Sequence, residues 1–264
     1  MRPWARGSSA AVTACLARAT ASGGNDAMRR ARASTKPATS LAGLRVLVTA
    51  GPTVEDLDPV RFIGNRSSGR MGFAIATEAL RRGASVTLVA GPTAIDPPTA
   101  AELVRVRSAG EMHAAVMAAA ATADVVIMAA AVADFTPKAG RRTSKIEKRA
   151  GLTLELERTR DILAELGAAR GTGAKPLLVG FAAQTGDPVP AARQKCLDKR
   201  VDLIVANDVT APGSGFDVET NQVTLVTADA GEALPLMTKA DVAARVLDRV
   251  EAMLRMPAAA SGAR

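Results

Sequence analysis

The chain of 264 residues contains no tyrosine, five phenylalanines and one tryptophan. Single-stranded nucleic acid is gripped by stacking bases on aromatic rings, so that mode of binding lacks its platforms. There is one histidine, His113, set in a helical pattern with Met112 and Val116. It reads as structural, and neither a His-rich metal site nor a triad is expected from it. The two cysteines, Cys15 and Cys196, lack metal-ligand spacing and make no disulfide framework. Cys196 reads as a buried small residue rather than a nucleophile. No apolar run reaches the roughly 20 residues a membrane helix requires. Residues 115–133 come nearest, but Thr122 and Asp124 interrupt them, and no membrane partner is expected. Positive charge is also scarce where it would matter. The net charge is +8, yet residues 1–40 hold seven Lys or Arg against one acid. The rest of the chain therefore carries only two of the excess charges, too few for a nucleic-acid footprint.

What is present is an apolar fraction of 48% with an ordinary 23% of charged residues, enough for a packed core. Residues 1–40 are rich in Arg, Ala, Ser and Thr and poor in acid, which matches a transit peptide in composition. A disordered basic tail, or a true start at Met28, are the alternatives. The expected location is accordingly the cytoplasm, or an organelle if the tail is a transit peptide. Residues 255–264 are expected to form a flexible tail.

Between the tails, short apolar runs alternate with helical periodicity. Residues 44–49, 85–89, 103–106, 125–129, 152–156, 177–181 and 203–206 read as strands, and 71–82, 111–121, 161–169 and 189–199 as helices. Residues 223–226 and 233–236 flank a turn-like Asp229-Ala230-Gly231 and read as an antiparallel hairpin. Thr238 caps a last helix through residue 254. The pattern predicts an α/β, Rossmann-like fold: a mostly parallel sheet flanked by helices, with an antiparallel edge hairpin.

Such sheets bind nucleotides at the carboxyl ends of their strands. The dinucleotide fingerprint is nevertheless missing. Thr49-Ala50-Gly51-Pro52-Thr53 follows the first strand, and the second ends in Ala90-Gly91-Pro92 without an acid for a ribose. An NAD-dependent oxidoreductase is therefore the runner-up, and a non-catalytic nucleotide sensor a further alternative. Three other clusters stand out. Ser67, Ser68 and Gly69 open the first helix, where backbone N–H groups can meet an anion or the serines merely cap. Ala129-Ala130-Ala131-Val132-Ala133-Asp134 is a run of small residues on which a base or ribose can lie. Lys195 and Lys199 share one helix face, a repulsion that a bound polyanion would relieve.

At these residues the sequence resembles the bacterial, CTP-dependent phosphopantothenate–cysteine ligase family. The resemblance is carried by Ala50-Gly51-Pro52-Thr53, Leu57-Asp58-Pro59-Val60-Arg61-Phe62-Ile63 and Asn65-Arg66-Ser67-Ser68-Gly69-Arg70-Met71-Gly72. Ala130-Ala131-Val132-Ala133-Asp134-Phe135, Lys145-Ile146, Gly180-Phe181-Ala182-Ala183 and Ala206-Asn207-Asp208 continue it, in order over residues 43–254. It implies a ligase in coenzyme A biosynthesis. The 4′-phosphopantothenate carboxylate would attack the α-phosphate of CTP, releasing pyrophosphate. Cysteine's amine would then displace CMP from the acyl-cytidylate. Mg²⁺ is expected, held partly through the phosphates; its protein ligands stay unknown. The flavin-dependent decarboxylase often fused upstream would need more chain than residues 1–40, so no FMN is expected.

By the same resemblance Asn65, Lys145 and Arg61 are the catalytic set, with Asn65 acting in amide formation, Lys145 on the nucleotide and Arg61 near phosphopantothenate. Met128, Ala129, Ala130 and Asp134 match cytosine and ribose contacts. Arg160, Asp161, Ile162, Leu163, Phe181, Lys195 and Lys199 match further CTP contacts. A homodimer is expected, and the polar, Lys-rich residues 135–150 suit a mobile flap over the site. Two positions depart from the family pattern. Arg160 replaces a common proline, and Gln184 replaces a common glutamate.

Overall fold

A computed structural model describes residues 39–148, 151–173, 175–184, 186–208, 210, 213, 215 and 218–256. All but Thr39 and Ser40 of the expected basic tail, and residues 257–264 of the C-terminal one, lie outside the described residues. The chain opens with β1 (Arg45–Ala50), buried at every residue but its first. A short hairpin of β2 (Val54–Asp56) and β3 (Phe62–Gly64) leads into α1 (Arg70–Arg81). Next come β4 (Ser85–Ala90), β5 (Glu102–Arg105) and α2 (Ala109–Ala120). β6 (Val125–Met128) is followed by a second hairpin, β7 (Phe135–Pro137) with β8 (Leu156–Arg158), and then by α3 (Ile162–Arg170). β9 (Leu177–Gln184), α4 (Val189–Asp198) and β10 (Leu203–Asp208) continue the alternation. The last elements are β11 (Thr220–Asn221), β12 (Val223–Val226), β13 (Gly231–Ala233), β14 (Met237–Thr238) and α5 (Lys239–Arg255).

Eight strands form one sheet in the order β13-β12-β10-β9-β6-β1-β4-β5. The six from β10 to β5 are parallel, and β12 and β13 extend one edge antiparallel. The fold class read from the sequence is thus the fold observed. Strands covered on both faces need apolar side chains in both directions. That is why β6 is an uninterrupted Val-Val-Ile-Met and shows no alternation. One face packs Phe73, Ile75, Ala76 and Ala79 of α1 with Val242, Val246, Leu247 and Val250 of α5. The other packs Met112 and Val116 of α2, Ile162 and Leu166 of α3, and Ala192 and Cys196 of α4. Cys196 is buried and donates to the Val226 carbonyl at 3.4 Å; burial pushes its thiol up. His113 joins α2 to α3 through Nε2, 2.8 Å from Glu165.

The chain winds away from β1 in both directions, to β4 on one side and β6 on the other. The carboxyl ends of β1 and β6 therefore bound the crevice in which doubly wound sheets bind ligands. Two strands lie elsewhere than expected. The strand placed at 152–156 is Leu156–Arg158, because its partner is β7, with Pro137 opposite Leu156. The second edge strand is Gly231–Ala233 rather than 233–236. The Thr227 N–H bonds the Ala230 carbonyl at 2.8 Å, which closes the turn early and pairs Val226 with Gly231.

Candidate functional site

The loops after β1 and β6 are stitched together at the crevice. Thr49 and Thr53 are fully buried, and their hydroxyl oxygens accept from the N–H groups of Ala130 and Ala133 at 3.0 and 2.8 Å. The Ala131 N–H bonds the Gly51 carbonyl at 2.9 Å. The result is a rigid backbone floor of small residues. Above it, α1 starts at Gly69, whose φ of 79° is the left-handed region open to glycine. No side chain caps this helix: Ser67 Oγ instead accepts from the Gly69 N–H at 3.3 Å. Gly72 brings the first turn of α1 onto the end of β1, since a Cβ there would lie 2.6 Å from Ala50 Cβ and 2.7 Å from the Thr49 carbonyl oxygen.

Two cavities open on this floor. The first, about 460 Å³, is lined by Asn65, Ser67, Ser68, Gly69, Ala129 and Ala130, with Asp134 and Phe181. The second, about 440 Å³, gathers Met128, Ala130, Asp134, Phe181, Arg160, Asp161, Ile162, Leu163, Lys195 and Lys199. They share Ala130, Val132, Asp134 and Phe181 as a common wall. The structure thus brings together seventeen candidate positions less two: Lys145 and Arg61 line neither cavity. Asn65 Nδ2 donates to the Val132 carbonyl at 2.8 Å, which holds its amide over the shared wall.

In the second cavity the two lysines do not stand alone. Lys199 Nζ lies 2.7 Å from Asp161, which also caps α3 by accepting from the Ala164 N–H at 3.1 Å. Burial works to raise the Asp161 carboxyl, but the bonds from Lys199 and Ala164 and the charges of Lys199 and Lys195 outweigh it and hold it below its ordinary value. Asp161 therefore relieves part of the Lys195–Lys199 repulsion and points Lys199 along the cavity mouth. Arg160 Nε lies 4.0 Å from Glu165, so the departure from proline leaves the α3 cap intact. Among the described residues no cluster of three or more His, Cys, Asp or Glu could hold a metal ion. The carboxylates that line the second cavity are Asp134 and the lysine-paired Asp161, a donor set that suits an ion carried on phosphates rather than a protein cage.

Lys145 lines a separate cleft with Arg142, Ser144, Ile146 and Glu147. Arg61 is turned toward that segment: its Nη1 donates to Asp58 at 2.7 Å and to the Ile146 carbonyl at 3.0 Å. Sequence reading gave no site role to Lys239, Asn221 or, despite its place in the Ala206-Asn207-Asp208 motif, Asn207, and all three line the first cavity. Lys239 is 6% exposed and donates to the Gly215 carbonyl at 3.0 Å. A lysine in the first turn of a helix carries no sign of such burial.

The loops after β1 and β4 touch: a Cβ on Gly91 would lie 1.7 Å from the Pro52 carbonyl oxygen. Neither loop supplies the glycine fingerprint or the ribose-binding acid of an NAD-dependent oxidoreductase.

Residues 41–254 match the model of the DNA/pantothenate metabolism flavoprotein C-terminal domain family. The chain belongs to this family. Among curated proteins, it is 46% identical over 215 residues to the coenzyme A biosynthesis bifunctional protein CoaBC of Bacillus subtilis (strain 168), a match covering 81% of this chain and 52% of that protein. The chain thus spans about half the length of the curated relatives it matches. Among solved structures, the C-terminal domain of coenzyme A biosynthesis bifunctional protein CoaBC is 44% identical with a TM-score of 0.69, covering 82% of this chain and 98% of that one. A Cab2 variant in complex with phosphopantothenate-cysteine shares the fold, with a TM-score of 0.66 at 18% identity over 80% of this chain and 87% of that one. Within the family, the two cavities of this chain lie on its matched segment. No helix of the described residues is long and apolar enough to cross a membrane.

Proposed function

We propose that residues 43–254 form a CTP-dependent phosphopantothenate–cysteine ligase domain acting in coenzyme A biosynthesis. The observation that carries the reading is the common wall: two cavities at one switch point, separated by Ala130, Val132, Asp134 and Phe181. Joining two substrates through an activated carboxylate needs such a pair of sites, because reactants held within near-attack distance avoid most of the entropic cost of meeting. The membership of the family and the CoaBC name of its 46% identical relative support it.

In this reading CTP takes the second cavity. The cytosine and ribose rest on Met128, Ala129 and Ala130, Asp134 accepts from the sugar, and Lys195 and Lys199 meet the phosphates as point charges. Lys145, which lines a separate cleft, is the further cation this reading assigns to the nucleotide. A Mg²⁺ ion riding on the triphosphate would neutralise phosphate charge beside Asp134. The phosphopantothenate carboxylate enters from the first cavity, where the uncapped start of α1 with Ser67, Ser68 and Gly69 favours anions. It attacks the α-phosphorus, the bond to pyrophosphate breaks, and an acyl-cytidylate spans the wall. Asn65, held by Val132, orients the acyl carbonyl as its oxygen gains charge during attack by cysteine's amine. CMP then leaves with the electron pair of the broken C–O bond. A homodimer agrees with the exposed Val60 and Phe62 of the first hairpin and Phe135 and Leu156 of the second. With this reading goes a cytoplasmic location, or an organelle if residues 1–40 are a transit peptide.

One assay tests it. Purified protein with Mg²⁺, phosphopantothenate and cysteine should release pyrophosphate and CMP with CTP. Absence of CMP with all three substrates would refute the reading.

A further inference from the structure

The turn after β2 and the segment that follows β7 meet residue by residue. Buried Glu55 accepts from Thr136 Oγ1 at 2.8 Å. Asp56 lies 3.9 Å from the Arg141 guanidinium. The Leu57 carbonyl accepts from the Arg142 N–H at 2.9 Å. Asp58 accepts from the Ile146 N–H at 3.0 Å, and Arg61 Nη1 donates to the Ile146 carbonyl at 3.0 Å. Both backbone polar groups of Ile146 are therefore held by a single ion pair, Asp58–Arg61, whose carboxylate is wholly buried. The residue before the clamp is Lys145.

We infer that Asp58 is a positioning residue for Lys145: acting directly and through Arg61 on the Ile146 backbone, it fixes the backbone of the segment from which Lys145 lines its cleft. The inference rests on the proposed role of Lys145 toward CTP. A lysine side chain is long and loses substantial rotamer freedom when it binds. If its backbone were also free, that ordering would fall on substrate binding as well. The four anchors have already ordered the backbone before substrate arrives. They also recast residues 135–150. The stretch from Thr136 to Ile146 is an anchored strap rather than a free flap.

The two oxygens of Asp58 divide the work. Oδ1 accepts from the N–H groups of Val60 and Arg61 at 2.7 and 2.8 Å, closing the local turn. Oδ2 accepts from Arg61 Nη1 and from Ile146, reaching outward. In Asp58→Asn one of these oxygens becomes an NH₂ that opposes two donors. With the turn bonds kept on the carbonyl, the outward pair is lost.

The experiment uses the full chain. Trypsin cleavage after Arg142 and Lys145 is followed by mass spectrometry without ligands, beside KM values for CTP and cysteine. Asp58→Asn should be cut several-fold faster at those bonds and show a KM for CTP raised about tenfold, the scale of one charge-assisted hydrogen bond, with the KM for cysteine unchanged. Ile146→Pro, which deletes the donated N–H and leaves Asp58 in place, should likewise be cut faster after Arg142 and raise the KM for CTP; the bond after Lys145 is not read in this variant, because trypsin does not cut before proline. It covers the case that Asp58→Asn does not fold. Unchanged cleavage in the folded variant refutes the tether. Faster cleavage with unaltered CTP kinetics refutes the positioning role. If the wild type makes no CMP, the ligase reading fails, while the cleavage comparison still decides the tether.

Discussion

Gly72→Ala puts the junction of helix and strand under the most direct stress. The added Cβ would sit 2.6 Å from Ala50 Cβ, 2.7 Å from the Thr49 carbonyl oxygen and 2.9 Å from Ala50 Cα. All belong to β1, at the centre of the sheet, and none is the movable end of a side chain. Restoring an ordinary contact of at least 3.4 Å requires α1 to lift by about 0.8 Å. Overpacking of this kind costs roughly 1–3 kcal/mol, and alanine's better helix propensity returns up to about 1 kcal/mol. The net loss of roughly 1–2 kcal/mol corresponds to a fall in Tm of about 2–8 °C for a domain of this size. The lift also moves Ser67, Ser68 and Gly69 relative to the floor, and a misplacement near 1 Å costs on the order of 10²-fold in rate. Calorimetry and the CMP-release assay read the two effects on one preparation. Gly151→Ala, which has open space around its Cβ, is the control for stability and should match wild type in Tm; it lines the Lys145 cleft, so its turnover is not used. A Gly72→Ala protein with wild-type Tm and turnover would show that the junction is not tight.

Three further outcomes are expected. Arg82, 5% exposed, ties α1 to α5 through Glu78, Glu251 and Asp248, and Arg82→Ala should lose about 3 kcal/mol at neutral pH by leaving the acids of a broken buried pair. The Glu78 carboxyl is held below its ordinary value by the bond from Arg81, against burial and with help from Arg82. Burial raises that of Glu251, but Ser40 and Arg82 lower it further. Depressed folded values give stability that is complete above the unfolded value near 4.5 and drains away as pH falls through the folded ones. The gap between wild type and Arg82→Ala in urea melts should therefore narrow below about pH 4.5; a constant gap would deny the network its charge. Gly110→Ala, in the exposed first turn of α2 with its nearest neighbour 3.8 Å away, should gain up to about 1 kcal/mol, and a loss in the same melts would contradict that space. Asn65→Ala should release pyrophosphate from CTP yet fail to form amide; unimpaired amide formation would remove Asn65 from the second step.

Strand and helix identity was legible wherever one face or two faces of the core dictated the pattern, as in the apolar run of β6 or the spacing of Phe73, Ala76 and Ala79 in α1. Hairpins were not. β2 with β3 and β7 with β8 are three-residue strands that mix buried Val54 and Glu55 with exposed Phe62 and Phe135, too short and too irregular for periodicity to read. Fifteen of the candidate residues line the two cavities: the serines, small residues, Asp134 and the lysine pair had local signatures, whereas Asn65, Met128, Arg160, Asp161, Ile162, Leu163 and Phe181 came from the family resemblance alone. The ties of Arg61 to Ile146, and the burial of Lys239 beneath Gly215, join residues far apart in sequence. A single chain gives no local mark of such pairings.

The contact between Pro52 and Gly91 couples the loops after β1 and β4. Any side chain at position 91 would run into the Pro52 carbonyl oxygen, so enlarging that residue in one loop means redrawing the other.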